Sequence, residues 1–168
     1  MDQMLGAALA SKINEQIERT VHLMALLPAK RLEWRPAIPG AWSVGELLGH
    51  LLDCLAGFCA VLYAADPERL RHFADLRHLA VNHVCGPEEA RERMAFYRIH
   101  IHQGFALLKD ADLGRKLSTV FVAEGEALLT LLLGNLEHLI NHKHQLFTYL
   151  QLMAVDVGTA DLYRLRGQ

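Results

Sequence analysis

Three histidines carry the spacing of a metal site. His50 lies in the run Trp42-Ser43-Val44-Gly45-Glu46-Leu47-Leu48-Gly49-His50, and the pair His138 and His142 lies in Leu136-Glu137-His138-Leu139-Ile140-Asn141-His142. In a helix, about 100° of rotation per residue brings positions four apart to within roughly 40° of each other, one turn along the axis. Two imidazoles so placed can share one ion, and a third on a packed neighbouring helix completes the set. Such a donor set suits zinc, nickel, iron or copper, with zinc or nickel expected first, whereas magnesium and calcium prefer oxygen ligands. Three protein ligands leave at least one coordination position for water or substrate, as in a catalytic site. A bound Zn²⁺ can lower the pKa of water to about 7, or bind and deprotonate an incoming thiol. The pair alone decides little, because the chain has 10 histidines and an i, i+4 pair is an easy spacing to satisfy. His100 and His102 are two apart and face different directions, His22, His72, His78 and His83 have no comparable partner, and His144 falls on the surface side of its helix.

The elements that must position these groups are helices. Leu far outnumbers the β-branched residues among the 52% of the chain that is hydrophobic, which suits helix packing. A first helix spans about Asp2 to Leu27, with Leu5, Leu9, Ile13, Ile17, Val21 and Met24 near helical spacing and Pro28 closing it. The stretch Arg35-Pro36-Ala37-Ile38-Pro39-Gly40 is a linker, since two prolines and a glycine restrict it to extended or turn geometry. Ser43 and Glu46 form a capping box that starts the second helix, with Trp42 placed to pack on Leu47 as a hydrophobic staple. That helix runs to about Ala65, where Asp66-Pro67 ends it, and the segment to Gly86 is irregular or holds a short helical turn around Glu68 to Leu76. The third helix starts at Pro87-Glu88-Glu89, with proline and acids where a first turn favours them, and extends to about Lys109. Leu117 to Val122 reads as an extended crossover too short to make a sheet alone. The fourth helix spans about Glu126 to Ala154. On it Leu131, Asn135, His138, His142, Gln145 and Tyr149 share one face, beside an apolar stripe of Leu132, Leu136, Leu139, Leu146 and Leu150.

Length and composition set the frame: 168 residues fit a single domain, 1–168, able to bury its own core. Lys plus Arg (17) nearly balances Asp plus Glu (19) and the cations are dispersed, so nucleic acid is not an expected partner. Apolar runs are interrupted by Asp, Glu, His or Arg, so none is expected to reach the about 18 to 20 residues of a membrane span. The start Met1-Asp2-Gln3-Met4 lacks a basic n-region, and a cytoplasmic protein is expected. Cys54, Cys59 and Cys85 are an odd count without a Cys-x-x-Cys pair, so free thiols are expected.

The order Trp-Ser-x-x-Glu-Leu-Leu-x-His, followed much later by His-x-x-x-His with Gln-Leu and Tyr-Leu, resembles the DinB-like or YfiT-like metalloenzymes from about Leu32 to Leu165. The resemblance implies an all-α four-helix bundle with a long crossover connection. It also implies a divalent metal bound by one histidine of the second helix and two of the fourth, here His50, His138 and His142. Many such proteins continue the last ligand with Arg-Gly-Gln and precede it with histidine. This chain has Lys143-His144-Gln145 and Asn141 there, departures that concern the groups around the ligands. Characterised members include transferases and isomerases that use low-molecular-weight thiols such as bacillithiol or mycothiol. By resemblance, the partners are a small-molecule thiol and an electrophile, and the assembly is a homodimer.

Around His50, Glu46 and Cys54 lie one turn to either side and Asp53 is the other nearby acid. Glu46 is first a cap, Cys54 is either a fourth ligand or a small core residue, and Gln145 and Tyr149 either orient a substrate or hydrogen-bond within the bundle. Three functions follow: a metal-dependent transferase or hydrolase, a non-catalytic metal-binding or stress-related bundle, and a metal-free bundle whose histidines are only polar core. An open position on the ion favours the first; a fourth ligand from Cys54 or Asp53 favours the second.

Overall fold

The computed structural model describes residues 3–28, 30–118 and 123–163, and four long helices dominate them: α1 Met4–Ala25, α2 Val44–Ala65, α3 Pro87–Leu107 and α4 Leu128–Leu152. Short elements fill the connections: 3-10 turns at Arg71–His78 and Asp110–Gly114, strands β1 Lys116–Leu117 and β2 Glu126–Ala127, and a last helix α5 Thr159–Leu162. Both α1 and α2 pack on α3 and α4. The connections α1–α2 and α3–α4 therefore run between opposite corners; the all-α four-helix bundle is as expected, with two such crossings where one long crossover was expected.

In α1 the buried residues are Gly6, Leu9, Ile13, Gln16, Ile17, Thr20, Leu23 and Met24. The expected face included Leu5 and Val21, yet Leu5 is 50% exposed. Repeated steps of four drift by about 40° each, and only a mixture of threes and fours stays against the core. The Thr20 hydroxyl donates to the Gln16 carbonyl at 2.8 Å, which satisfies it inside the core.

The capping box is present at the start of α2: the Ser43 N–H donates to Glu46 Oε2 at 2.6 Å and the Glu46 N–H to Ser43 Oγ at 3.2 Å. The next orphan amides are met by the segment just before the linker, Val44 N–H on the Trp34 carbonyl and Gly45 N–H on the Leu32 carbonyl, both at 2.9 Å. Burial on several faces, including Leu47, Leu48, Leu51, Leu52, Leu55, Phe58 and Leu62, makes α2 the central core helix. It is also long and apolar enough, by length and composition, to cross a membrane. That corrects the expectation that no segment would be, because a helix wrapped on several faces by protein has the composition of one wrapped by lipid.

The fourth helix begins two residues later than the sequence suggests. Glu126 and Ala127 pair antiparallel with Leu117 and Lys116, so the extended segment closes a two-residue ladder before α4 starts. Thr119 to Val122, the rest of the expected extended stretch, lie outside the described residues. The apolar stripe of α4, Leu132, Leu136, Leu139, Leu146 and Leu150, is buried as expected.

Candidate metal centre

Two helices and one strap build the centre. His50 sits two turns into α2, beyond its capped end, and His138 and His142 sit one turn apart on α4, which packs on α2. The strap is the segment 81–86, which lies on the glycine face of α2. There the Asn82 N–H donates to the Gly49 carbonyl at 3.0 Å and the Cys85 N–H to the Gly45 carbonyl at 3.2 Å. A Cβ at Gly49 would meet the His83 carbonyl oxygen at 1.7 Å, and one at Gly45 would meet Val84 at 2.7 Å. These two glycines, one turn apart, are what let the strap approach.

The three imidazoles converge through Nε2. His50 Nε2 is 2.9 Å from His138 Nε2 and 3.2 Å from His142 Nε2. Nitrogens each about 2.1 Å from one ion stand roughly 3.0 to 3.4 Å apart, depending on the angle between them. The opposite nitrogens are held from outside: His50 Nδ1 lies 2.7 Å from Asn82 Oδ1 and His142 Nδ1 lies 2.8 Å from Gln145 Oε1. An amide oxygen only accepts, so each draws the ring proton onto Nδ1. The Nε2 atoms of His50 and His142 then face each other as lone pairs, an arrangement that costs energy until a cation stands between them.

Electrostatics agree with ligand character. Burial lowers the pKa of His138, helped by the neighbouring His50 and opposed by Asp53. Burial also lowers that of His142, with His50 and His138 adding to it and the Gln145 hydrogen bond opposing. Both rings are therefore biased toward the neutral form that binds metals. The Trp42 indole, 37% exposed, lies over the centre with its ring 4.5 Å from His50 and 5.5 Å from His142. The triad could hold a metal ion.

A family model described as the DinB superfamily matches residues 12–146, a span that contains all three histidines. The chain belongs to the DinB superfamily. A search of curated proteins finds no match. Among solved structures, the crystal structure of a DinB-like protein (YjoA) from Bacillus subtilis is similar, with a TM-score of 0.70 and 18% sequence identity over 94% of this chain and 99% of that chain. That likeness concerns the fold, and it agrees with the bundle expected for a DinB chain.

The remaining candidates separate clearly within this DinB fold. Glu46 serves the cap and lies 3.4 Å from Arg35. Cys54 is 1% exposed in the core cluster, and burial, with Asp53 adding to it, pushes its thiol up to about 12. Neither Cys54 nor Asp53 is among the converging ligand atoms. All three cysteines are free and buried. Gln145 and Tyr149 hydrogen-bond within the bundle: Gln145 Nε2 donates to the Tyr149 hydroxyl at 3.1 Å, and that hydroxyl donates to the Trp42 carbonyl at 3.0 Å. A chain of contacts thus runs from His142 through Gln145 and Tyr149 to the segment that carries Trp42. His144 is exposed, as its angle on the helix predicts.

Sequence reasoning missed Asn82 and the role of Trp42 over the imidazoles. The signal for Asn82 was present: two glycines four apart inside a helix are destabilising unless another backbone must come close. Asn82 itself has a φ of 56°, a left-handed conformation that asparagine tolerates better than most residues.

Proposed function

We propose that this DinB-superfamily chain is a metal-dependent enzyme that activates a low-molecular-weight thiol for transfer to an electrophile. His50, His138 and His142 are its ligands, with zinc or nickel the expected metal. The observation that carries the reading is the convergence of three Nε2 atoms whose outer nitrogens are fixed by Asn82 and Gln145. When bound, the ion supplies a Lewis acid that favours the thiolate over the thiol, or hydroxide over water.

The protein contributes orientation. Asn82 and Gln145 hold the rings, the Trp42 indole covers one side of the donor set, and no fourth protein ligand fills the site among the described residues. A cavity of about 320 Å³ is lined by Asp53, Gly57, Tyr63, Phe73 and Arg77, beginning one turn along α2 from His50. Ala56, Ala60 and Leu76 complete a mainly apolar lining that none of the three histidines joins, and its size suits a small apolar electrophile. In the transfer, a bond forms between the thiol sulfur and the electrophilic carbon, the bond to the leaving group breaks, and the thiol proton departs with that group. Water in place of the thiol gives the hydrolase form of the same chemistry. Buried free thiols suit a reducing compartment, so the cytoplasm is the proposed location, and a homodimer is the proposed assembly.

The test is a screen of the zinc-loaded and nickel-loaded chain with small thiols and model electrophiles, alongside His138→Ala. Thioether formation that disappears in the variant supports the reading. Metal binding without turnover across the screen contradicts it and favours the alternative, a non-catalytic metal-binding bundle.

A further inference from the structure

The strap that presents Asn82 to His50 also carries His83 and Cys85. His83 Nε2 lies 2.8 Å from Glu89 Oε1, and one ligand atom each from His83, Cys85 and Glu89 falls within 4.8 Å of the other two. Three donor types meet here: imidazole, thiol and carboxylate. Cys85 is 2% exposed, whereas the Glu89 side chain is 47% exposed, so the cluster leads from the interior to solvent. His83 Nδ1 is buried and has no hydrogen-bond partner. With one nitrogen on a carboxylate and the other bare inside the fold, this ring has ligand capacity that the protein leaves unused.

The placement does not depend on an ion. The Cys85 and Asn82 amides bind the Gly45 and Gly49 carbonyls, and the His83 backbone lies against Gly49. Glu89 sits in the first turn of α3, a helix with Pro87 at its start. Two of the three groups therefore sit on a clamped strap and one on the first turn of a helix.

We propose that His83, Cys85 and Glu89 form a second metal site, separate from the histidine triad, that takes a thiophilic divalent transition cation such as Zn²⁺. Thiolate and imidazole select zinc, cobalt or nickel over magnesium and calcium, and the carboxylate adds a second negative charge. Without an ion, burial and the Glu89 carboxylate push the Cys85 thiol up to about 12, against the opposing influence of Arg93. Binding forms a sulfur–metal bond and releases the thiol proton to solvent, so occupancy rises with pH. An ion here ties the strap to α3, and with it the segment that holds Asn82 on His50.

Co²⁺ titration of the full chain without an affinity tag tests this. The triad contains no sulfur, so near-ultraviolet absorption from thiolate-to-Co²⁺ charge transfer reports this site alone, and its failure leaves the triad untouched. The expected result is a band that saturates by two Co²⁺ per chain, the triad taking the other ion without contributing to it, that persists in Cys54→Ala and is absent from Cys85→Ser. Glu89→Gln, a change at an exposed side chain, should weaken the Co²⁺ affinity read from the band at least about tenfold, and it decides the matter if Cys85→Ser does not fold. No band in the native chain, a band lost in Cys54→Ala or surviving in folded Cys85→Ser, or an unchanged affinity in Glu89→Gln overturns the proposal.

Discussion

At the scale of residues, the proposed metal centre depends on groups that touch the three imidazoles as well as on the imidazoles themselves. Asn82 Oδ1 and Gln145 Oε1 fix the tautomer and tilt of His50 and His142, and losing such a partner typically costs 10- to 100-fold, on the order of one to two decades, in metal affinity. Asn82→Ala and Gln145→Ala should each show a loss of about that size by competition with a chelating dye, with little change in helicity. The titration of the ligands gives a second prediction. Burial holds His138 and His142 below their ordinary value of 6.5, so between the depressed values and 6.5 the unfolded chain binds more protons than the folded one. Stability of the metal-free protein therefore rises with pH through that window and is lost as pH falls through it. Thermal unfolding of metal-free protein between about pH 7 and about pH 5 should show Tm falling on acidification. The double variant His138→Ala/His142→Ala should show a flatter profile.

At the scale of elements, the contact between the strap and α2 is the sensitive point. A Cβ at Gly49 would stand 1.7 Å from a backbone oxygen, which no rotamer change relieves. Gly49→Ala should cost at least about 1–3 kcal/mol in denaturant unfolding and should also weaken metal binding, because it displaces Asn82. Gly134 of α4 is the contrast, with nothing within 4 Å of its would-be Cβ; Gly134→Ala should stabilise by about 0.5–1 kcal/mol. The four long helices were legible because Ser43, Glu46, Pro87 and the Leu periodicity of α4 act locally. Where α4 begins was not, because the pairing of Glu126 with Leu117 is a tertiary fact. The convergence of His50, His138 and His142 was legible through helical spacing and family resemblance, and Gln145 was placed on the right face by the same arithmetic. Asn82 was not, since its role arises 32 residues from His50 through a loop with no period. The contacts of Trp42 with His50 and His142 were not legible for a related reason: its position before the cap says that it packs, but not that imidazoles lie beside it.

At the scale of the molecule, one buried amine joins three helices. Lys143, 2% exposed, donates to Gln16 Oε1 of α1 at 2.7 Å and to the Leu162 carbonyl of α5 at 3.0 Å. Its position next to His142 in α4 places it a step of about 100° around the helix, so the turn that presents a ligand also anchors the C-terminal segment. Sequence reasoning had no means of finding this, because a lysine in a mostly polar run reads as surface. Lys143→Met keeps the length of the side chain but leaves the Gln16 and Leu162 oxygens without their donor, and should destabilise the fold by about 1–3 kcal/mol in chemical denaturation. The triad itself should keep its metal in that variant, since none of the outer partners of His50 or His142 is removed.

Elemental analysis reads out whether His50, His138 and His142 hold one transition-metal ion. The chain, expressed without an affinity tag and purified without a nickel column, should carry zinc or nickel. His50→Ala, His138→Ala and His142→Ala should each lose the ion bound by the triad while keeping the helical circular dichroism of the parent. Metal content equal to the parent in all three variants would mean that the triad holds no ion.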